Sequence, residues 1–262
     1  TTQQVFTADD ITLTISSNAT LSKSQKSIVT DNRSGVTVTI NEGSEVFTTS
    51  GDNAIVGKSS TNLTVNNSGK IYSSGAKAVS FRQGSGATLS NNSGATIYAA
   101  TNTISGNHND TENATITNSG TIYSTDASTN TIKFDSASTG NSIVNNTGGE
   151  IYTEGTGATI RLGASSTLTN SGTIKTGSVS SRAINAAGSN NTITLKDDGK
   201  IIGIISSADG TTGNKLQMQH GFGQGYFYET SGDFTLEDLD GNQVVKGSAG
   251  SVGQGGSETL DE

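Results

Sequence analysis

A motif with a period of about 25 residues recurs along most of this chain, and it limits the folds open to it. Each copy reads Asn, then Gly, then an aliphatic and an aromatic residue. Val65-Asn66-Asn67-Ser68-Gly69-Lys70-Ile71-Tyr72 is one copy, and Ile116-Thr117-Asn118-Ser119-Gly120-Thr121-Ile122-Tyr123 is another. Further copies occupy 89–98, 145–152 and 168–175, and degenerate ones occupy 40–47 and 196–202. The marker glycines are Gly43, Gly69, Gly94, Gly120, Gly148, Gly172 and Gly199, spaced by 26, 25, 26, 28, 24 and 27. So even a spacing is the signature of a repeat architecture.

Each period holds three short β-like runs. The first precedes the Asn, as in Leu63-Thr64-Val65. The second follows the Gly, as in Lys70-Ile71-Tyr72. The third lies about eight residues on, as in Ala78-Val79-Ser80-Phe81, Thr131-Ile132-Lys133-Phe134 and Thr159-Ile160-Arg161-Leu162. Aliphatic residues alternate with polar ones at period 2, and the helical period is missing. One such unit cannot bury its own apolar side, but stacked units can. The expected fold is all-β: a right-handed parallel β-helix with three strands per coil and at least seven coils. Four-stranded propeller blades need about 40 residues each. The Asn-Ser-Gly corner is expected to use the left-handed backbone region, with the marker glycines stacked along one edge. Asn side chains are expected to bond up and down the stack.

Composition agrees with a thin core. Only 30% of residues are hydrophobic, with 34 glycines and no proline, cysteine or tryptophan. Proline would delete ladder bonds in central strands. Without cysteine there are no disulfides and no thiolate metal sites. The net charge of -8 disfavours nucleic acid as a partner. Thr1 does not begin a signal peptide, so the chain is expected to be a mature or trimmed fragment.

The expected organisation is a first coil or cap at 1–30, the repeats at 31–205, a β-rich cap at 206–246 and a flexible linker at 247–262. Phe234-Thr235-Leu236, Asp240-Gly241 and Val244-Val245 read as a hairpin.

The recurring Asn-Ser-Gly-Thr-Ile-Tyr type of coil resembles the passenger domains of monomeric Gram-negative autotransporters. The resemblance covers residues 35–205 and extends more loosely to 245. It implies an exported protein, carried out by its own C-terminal outer-membrane barrel in the precursor and displayed on the cell surface or secreted. The roles it implies are binding of a host-cell receptor or glycan, self-association between cells, or a released effector that engages a host receptor.

Candidate chemistry is sparse. Protease passengers carry a Gly-Asp-Ser-Gly-type motif, and none occurs here. The histidines, His108 and His220, lie in different regions. Asp197-Asp198 is the only adjacent carboxylate pair in the repeats at 31–205 and reads as a substituted corner. Asp238-Leu239-Asp240-Gly241-Asn242 lacks full calcium-loop spacing. No catalytic residue, metal or cofactor is expected, and a polysaccharide-active enzyme is the weakest of the alternatives.

Two surface features remain. The aromatic beside the inward aliphatic repeats as Phe47, Tyr72, Tyr98, Tyr123 and Tyr152, and is expected to form an outward ladder. Such a ladder could equally serve only to stabilise stacked strands. Lys133 and Arg161 hold outward positions in consecutive coils, near Lys77, Arg82 and Arg182, with Asp126, Asp135 and Glu154 in the same region. The candidate binding residues are therefore Tyr72, Tyr98, Tyr123, Tyr152, Lys133 and Arg161.

Overall fold

Thr-Val-Thr-Ile, the run at Thr37–Ile40, shows how each strand forms: β-branched residues favour the extended backbone, and alternation sends Val38 and Ile40 inward. The computed structural model describes residues 2–106, 111–219, 226–243 and 256–258. It is a right-handed parallel β-solenoid of about nine turns, with three stacked sheets. The first sheet has eleven strands and begins with Gln4–Val5. The second has ten and begins with Thr12–Ile15. The third has eight and begins with Thr20–Lys23. The chain visits them in that order and then climbs one coil.

Equivalent residues pair in register from coil to coil. Ile71, Ile97, Ile122, Ile151 and Ile174 follow one another in the third sheet and are fully buried. Val65, Leu89, Ile116, Ile143 and Leu168 do the same in the second sheet. Each such side chain contributes about 1.5–3 kcal/mol by leaving water. Phe81 and Phe134 are the largest fully buried side chains among the described residues.

A second column inside the core is polar. Asn67, Asn91, Asn118, Asn145 and Asn170 end successive strands of the second sheet and are buried. Each Nδ2 donates to the next Oδ1, at 2.8, 2.8, 2.9 and 2.9 Å. The same amides donate to carbonyls of the corner, as Asn118 does to Gly120 O at 3.1 Å. An unpaired amide here would be costly to bury, and the ladder removes that cost. The expected Asn stacking is thus present, and it is internal.

The marker glycines do not share one column, contrary to expectation. Thr121 pairs with Thr96, so Gly120 stands opposite Ala95, and Gly94 lies one residue earlier. Two kinds of corner alternate. Between Thr88–Asn91 and Thr96–Ala99 the chain takes a longer corner in which Gly94 has φ +78°. Between Thr115–Asn118 and Thr121–Ser124 only Ser119 and Gly120 intervene. Gly120 is not left-handed. It is required because a Cβ there would sit 2.3 Å from Ala95 O in the coil below. The left-handed rationale therefore holds for Gly43, Gly94 and Gly148, and close approach replaces it at Gly69, Gly120, Gly172 and Gly199.

Both ends of the described chain belong to the stack. Thr12–Ile15 pairs in parallel with Thr37–Ile40, and Lys215–Met218 pairs with Thr235–Asp238. Beyond Asp238, Gly241 has φ +85° and Glu237 meets Gln243 in an antiparallel bridge, the start of a hairpin turn. Val244, Val245 and most of 247–262 lie outside the described residues; Gly256–Glu258 pairs antiparallel with Tyr226–Tyr228.

Candidate functional site

The third sheet turns its aromatic residues outward because their inward neighbours are the buried Ile column. Tyr72, Tyr98, Tyr123 and Tyr152 occupy equivalent positions in Lys70–Ser73, Thr96–Ala99, Thr121–Ser124 and Glu150–Thr153. Phe47 begins the column. Successive ring centroids are 4.4, 4.9, 5.0 and 4.9 Å apart, with interplanar angles of 3–11°. The rings cover one another's faces. They are half-buried, so what reaches solvent is a strip of ring edges.

Cations close the ladder from the side. Lys70 Nζ lies 4.7 Å from the Tyr72 centroid and 5.3 Å from that of Tyr98. Lys175 Nζ lies 4.7 Å from Tyr152. Each is also ion-paired, Lys70 to Glu45 at 3.6 Å and Lys175 to Glu150. Lys70 and Glu150 stand two residues before an aromatic, so period 2 puts them on its face. That signal is present in the sequence at the period-2 spacing of the strand.

Burial first, then the Glu45 carboxylate, pushes the Tyr72 phenol up to about 12. Burial also raises Tyr123 and Tyr152, followed by Tyr152 and Tyr98 for the former and by Glu150 and Glu154 for the latter. These phenols stay protonated at neutral pH and offer O–H donors and oxygen acceptors. Their strand backbone is held from within. Thr103 Oγ1 donates to Tyr123 O at 2.5 Å, and Thr131 Oγ1 donates to Tyr152 O at 2.6 Å.

Lys133 and Arg161 lie on a different sheet. They pair in register in the first sheet, within Ile132–Phe134 and Ile160–Leu162. A corner separates them from the aromatic strip, so the six candidate residues form two faces. Lys133 Nζ is 3.7 Å from Asp135. Burial lowers the Lys77 pKa, and the Lys133 and Arg82 charges lower it further.

His108 and His220 lie outside the described residues. Among the described residues no group of three His, Cys, Asp or Glu side chains could hold a metal ion. Asp197 and Asp198 both have positive φ in a corner, and Asp197 Oδ2 accepts a bond from Ser171 Oγ at 3.0 Å. Asp238 Oδ1 is taken by the backbone N–H groups of Asp240 and Asn242, at 2.9 and 2.7 Å. An open groove at the N-terminal end, lined by Val5, Phe6, Ile11 and Leu13 among others, has no ionisable side chain.

No protein-family model, curated protein or solved structure matches the chain.

Proposed function

We propose that this chain is an exported binding module of the autotransporter-passenger kind, which contacts host-cell or neighbouring bacterial surfaces and catalyses no reaction. The observation that carries this reading is the aromatic strip. Four tyrosines and a phenylalanine stack in register on one rigid sheet, with their edges in solvent. Tyrosine joins an apolar ring to a polar tip and suits interfaces for that reason. Because the strip is preorganised, little order is lost on contact. The partner is a cell-surface receptor or glycan, and the repeat makes many small contacts with it. A precursor with its own outer-membrane barrel and a cell-surface or secreted location follow from the sequence resemblance.

The test is binding of the purified chain to animal and bacterial cells. The wild type is expected to bind. A Tyr98→Ser, Tyr123→Ser, Tyr152→Ser triple variant, shown to be folded by circular dichroism, is expected to bind much less than any single variant. Unchanged binding by the triple variant would remove the strip as the site. Absence of binding by the wild type, or turnover of a peptide or polysaccharide substrate, would overturn the reading.

A further inference from the structure

The outer face of the second sheet carries no charge through eight consecutive strands, from Thr12–Ile15 to Thr192–Leu195. The chain as a whole carries 38 charged residues, 15 Lys and Arg plus 23 Asp and Glu. In each of these strands two side chains point outward. The first is always a hydroxyl: Thr in seven strands and Ser142 in the other. The second is Thr or Ser in six strands, interrupted by Asn66 and Val144. Charge returns only with Lys215 and Glu237, where the sheet ends.

This face is therefore a two-dimensional array. Its repeat is about 4.8 Å from strand to strand and about 6.7 Å along each strand. Four-residue registers continue unshifted through every step, so the array does not drift. Threonine is β-branched and restricted at χ1, so each methyl and hydroxyl has few directions open to it. Few of these hydroxyls are used internally. Thr167 bonds Ser142 at 3.2 Å and Thr194 bonds Gln217 at 3.2 Å, whereas those of Thr37, Thr64, Thr88 and Thr115 have no protein partner among the described residues.

We propose that this face binds ice. A ligand that matches such a surface must itself be periodic, uncharged and rich in hydrogen-bonding groups. Both repeats lie close to those of water oxygens on a prism face of hexagonal ice. The methyl groups exclude disordered water between the hydroxyls, and the hydroxyls continue the lattice. A charged side chain would hold its own hydration shell and break the match, which accounts for an uncharged face on an acidic chain. The aromatic strip lies on another sheet, so the two surfaces act independently.

The experiment freezes a dilute solution of the whole chain slowly onto a cold finger and measures the protein taken into the ice, alongside inhibition of ice recrystallisation. The variants are Thr115→Lys with Thr117→Lys on this face, and Asn185→Lys on the outward side of the first sheet as the control. All three proteins are checked by circular dichroism. Wild type and Asn185→Lys should be enriched in the ice, and the double variant should lose about tenfold in apparent affinity. Exclusion of the wild type from ice would overturn the proposal. So would equal incorporation of the double variant, or equal loss by the control. Recovery in the liquid, with self-association that the double variant abolishes, would assign the face to a second copy of the chain instead.

Discussion

Asn91 Nδ2 donates to Asn118 Oδ1 at 2.8 Å with both side chains out of water. The bond joins coils whose corners differ. Asn91 precedes the longer corner and Asn118 the shorter one, yet the amides meet in register. The ladder therefore holds the stack in alignment where the backbone paths diverge.

Asn118→Ala should be strongly destabilising for so small a change. It leaves Asn145 Oδ1 without its donor and the Gly120 N–H without its side-chain acceptor, while Asn91 Nδ2 keeps only its bonds to carbonyls such as Thr121 O. Each buried group left unpaired costs about 1–3 kcal/mol. Chemical denaturation should show a loss of about 2 kcal/mol or more. A loss below about 0.5 kcal/mol, the range of ordinary surface changes, would mean that water replaces the ladder.

Ile122 and Tyr123 are adjacent, and their substitutions should differ sharply. Ile122 is fully buried, so Ile122→Asp places an unpaired carboxylate in a narrow apolar core and should prevent folding or cost more than about 4 kcal/mol. Tyr123→Ser removes two ring contacts from a half-buried face and should cost about 1 kcal/mol. Thermal melts that fall equally would show that the inner and outer faces are misassigned.

The two glycine types should differ in how far asparagine destabilises them. Gly94 has φ +78° with nothing within 4 Å of its Cβ direction, and Asn tolerates that backbone, so Gly94→Asn should be mild. Gly120→Asn must force its Cβ against Ala95 O, Asn92 O and the Asn91 amide, and should lower the melting temperature far more. Equal shifts would remove close approach as the reason for Gly120.

The coil architecture was legible because its signals are local. Alternation set Ile97 inward and Tyr98 outward, and spacing put each Tyr over the last. The corners were not legible in the same way. Asn-Ser-Gly occurs both in the short corner at 118–120 and in the longer one at 92–94, and only the register shows which Asn points inward. The separation of Lys133 from the aromatic strip was legible, because Lys133 belongs to the third run of its coil and the aromatic residues to the second. The threonine array was not legible, since each Thr, taken singly, is an ordinary strand residue. Only the stacking of Thr64, Thr88 and Thr115 makes it a surface.

Tyr72 predicts an alkaline limit to stability. Its phenol ionises at 10.0 in a free chain and at about 12 in the fold, because burial and the nearby Glu45 disfavour the phenolate. The folded state thus binds this proton more tightly than the unfolded state. By linkage, the corresponding stabilisation is whole below pH 10.0 and is lost as pH rises through about 12. Tyr123 and Tyr152 are raised as well and act in the same sense. Denaturation measured from neutral pH up to 12 should show stability falling once pH passes 10. Tyr72→Phe retains the ring stack and removes the ionisable group, so its fall should be shallower than that of the wild type. Identical alkaline profiles would show that the Tyr72 phenol is as free to ionise in the fold as in the unfolded chain.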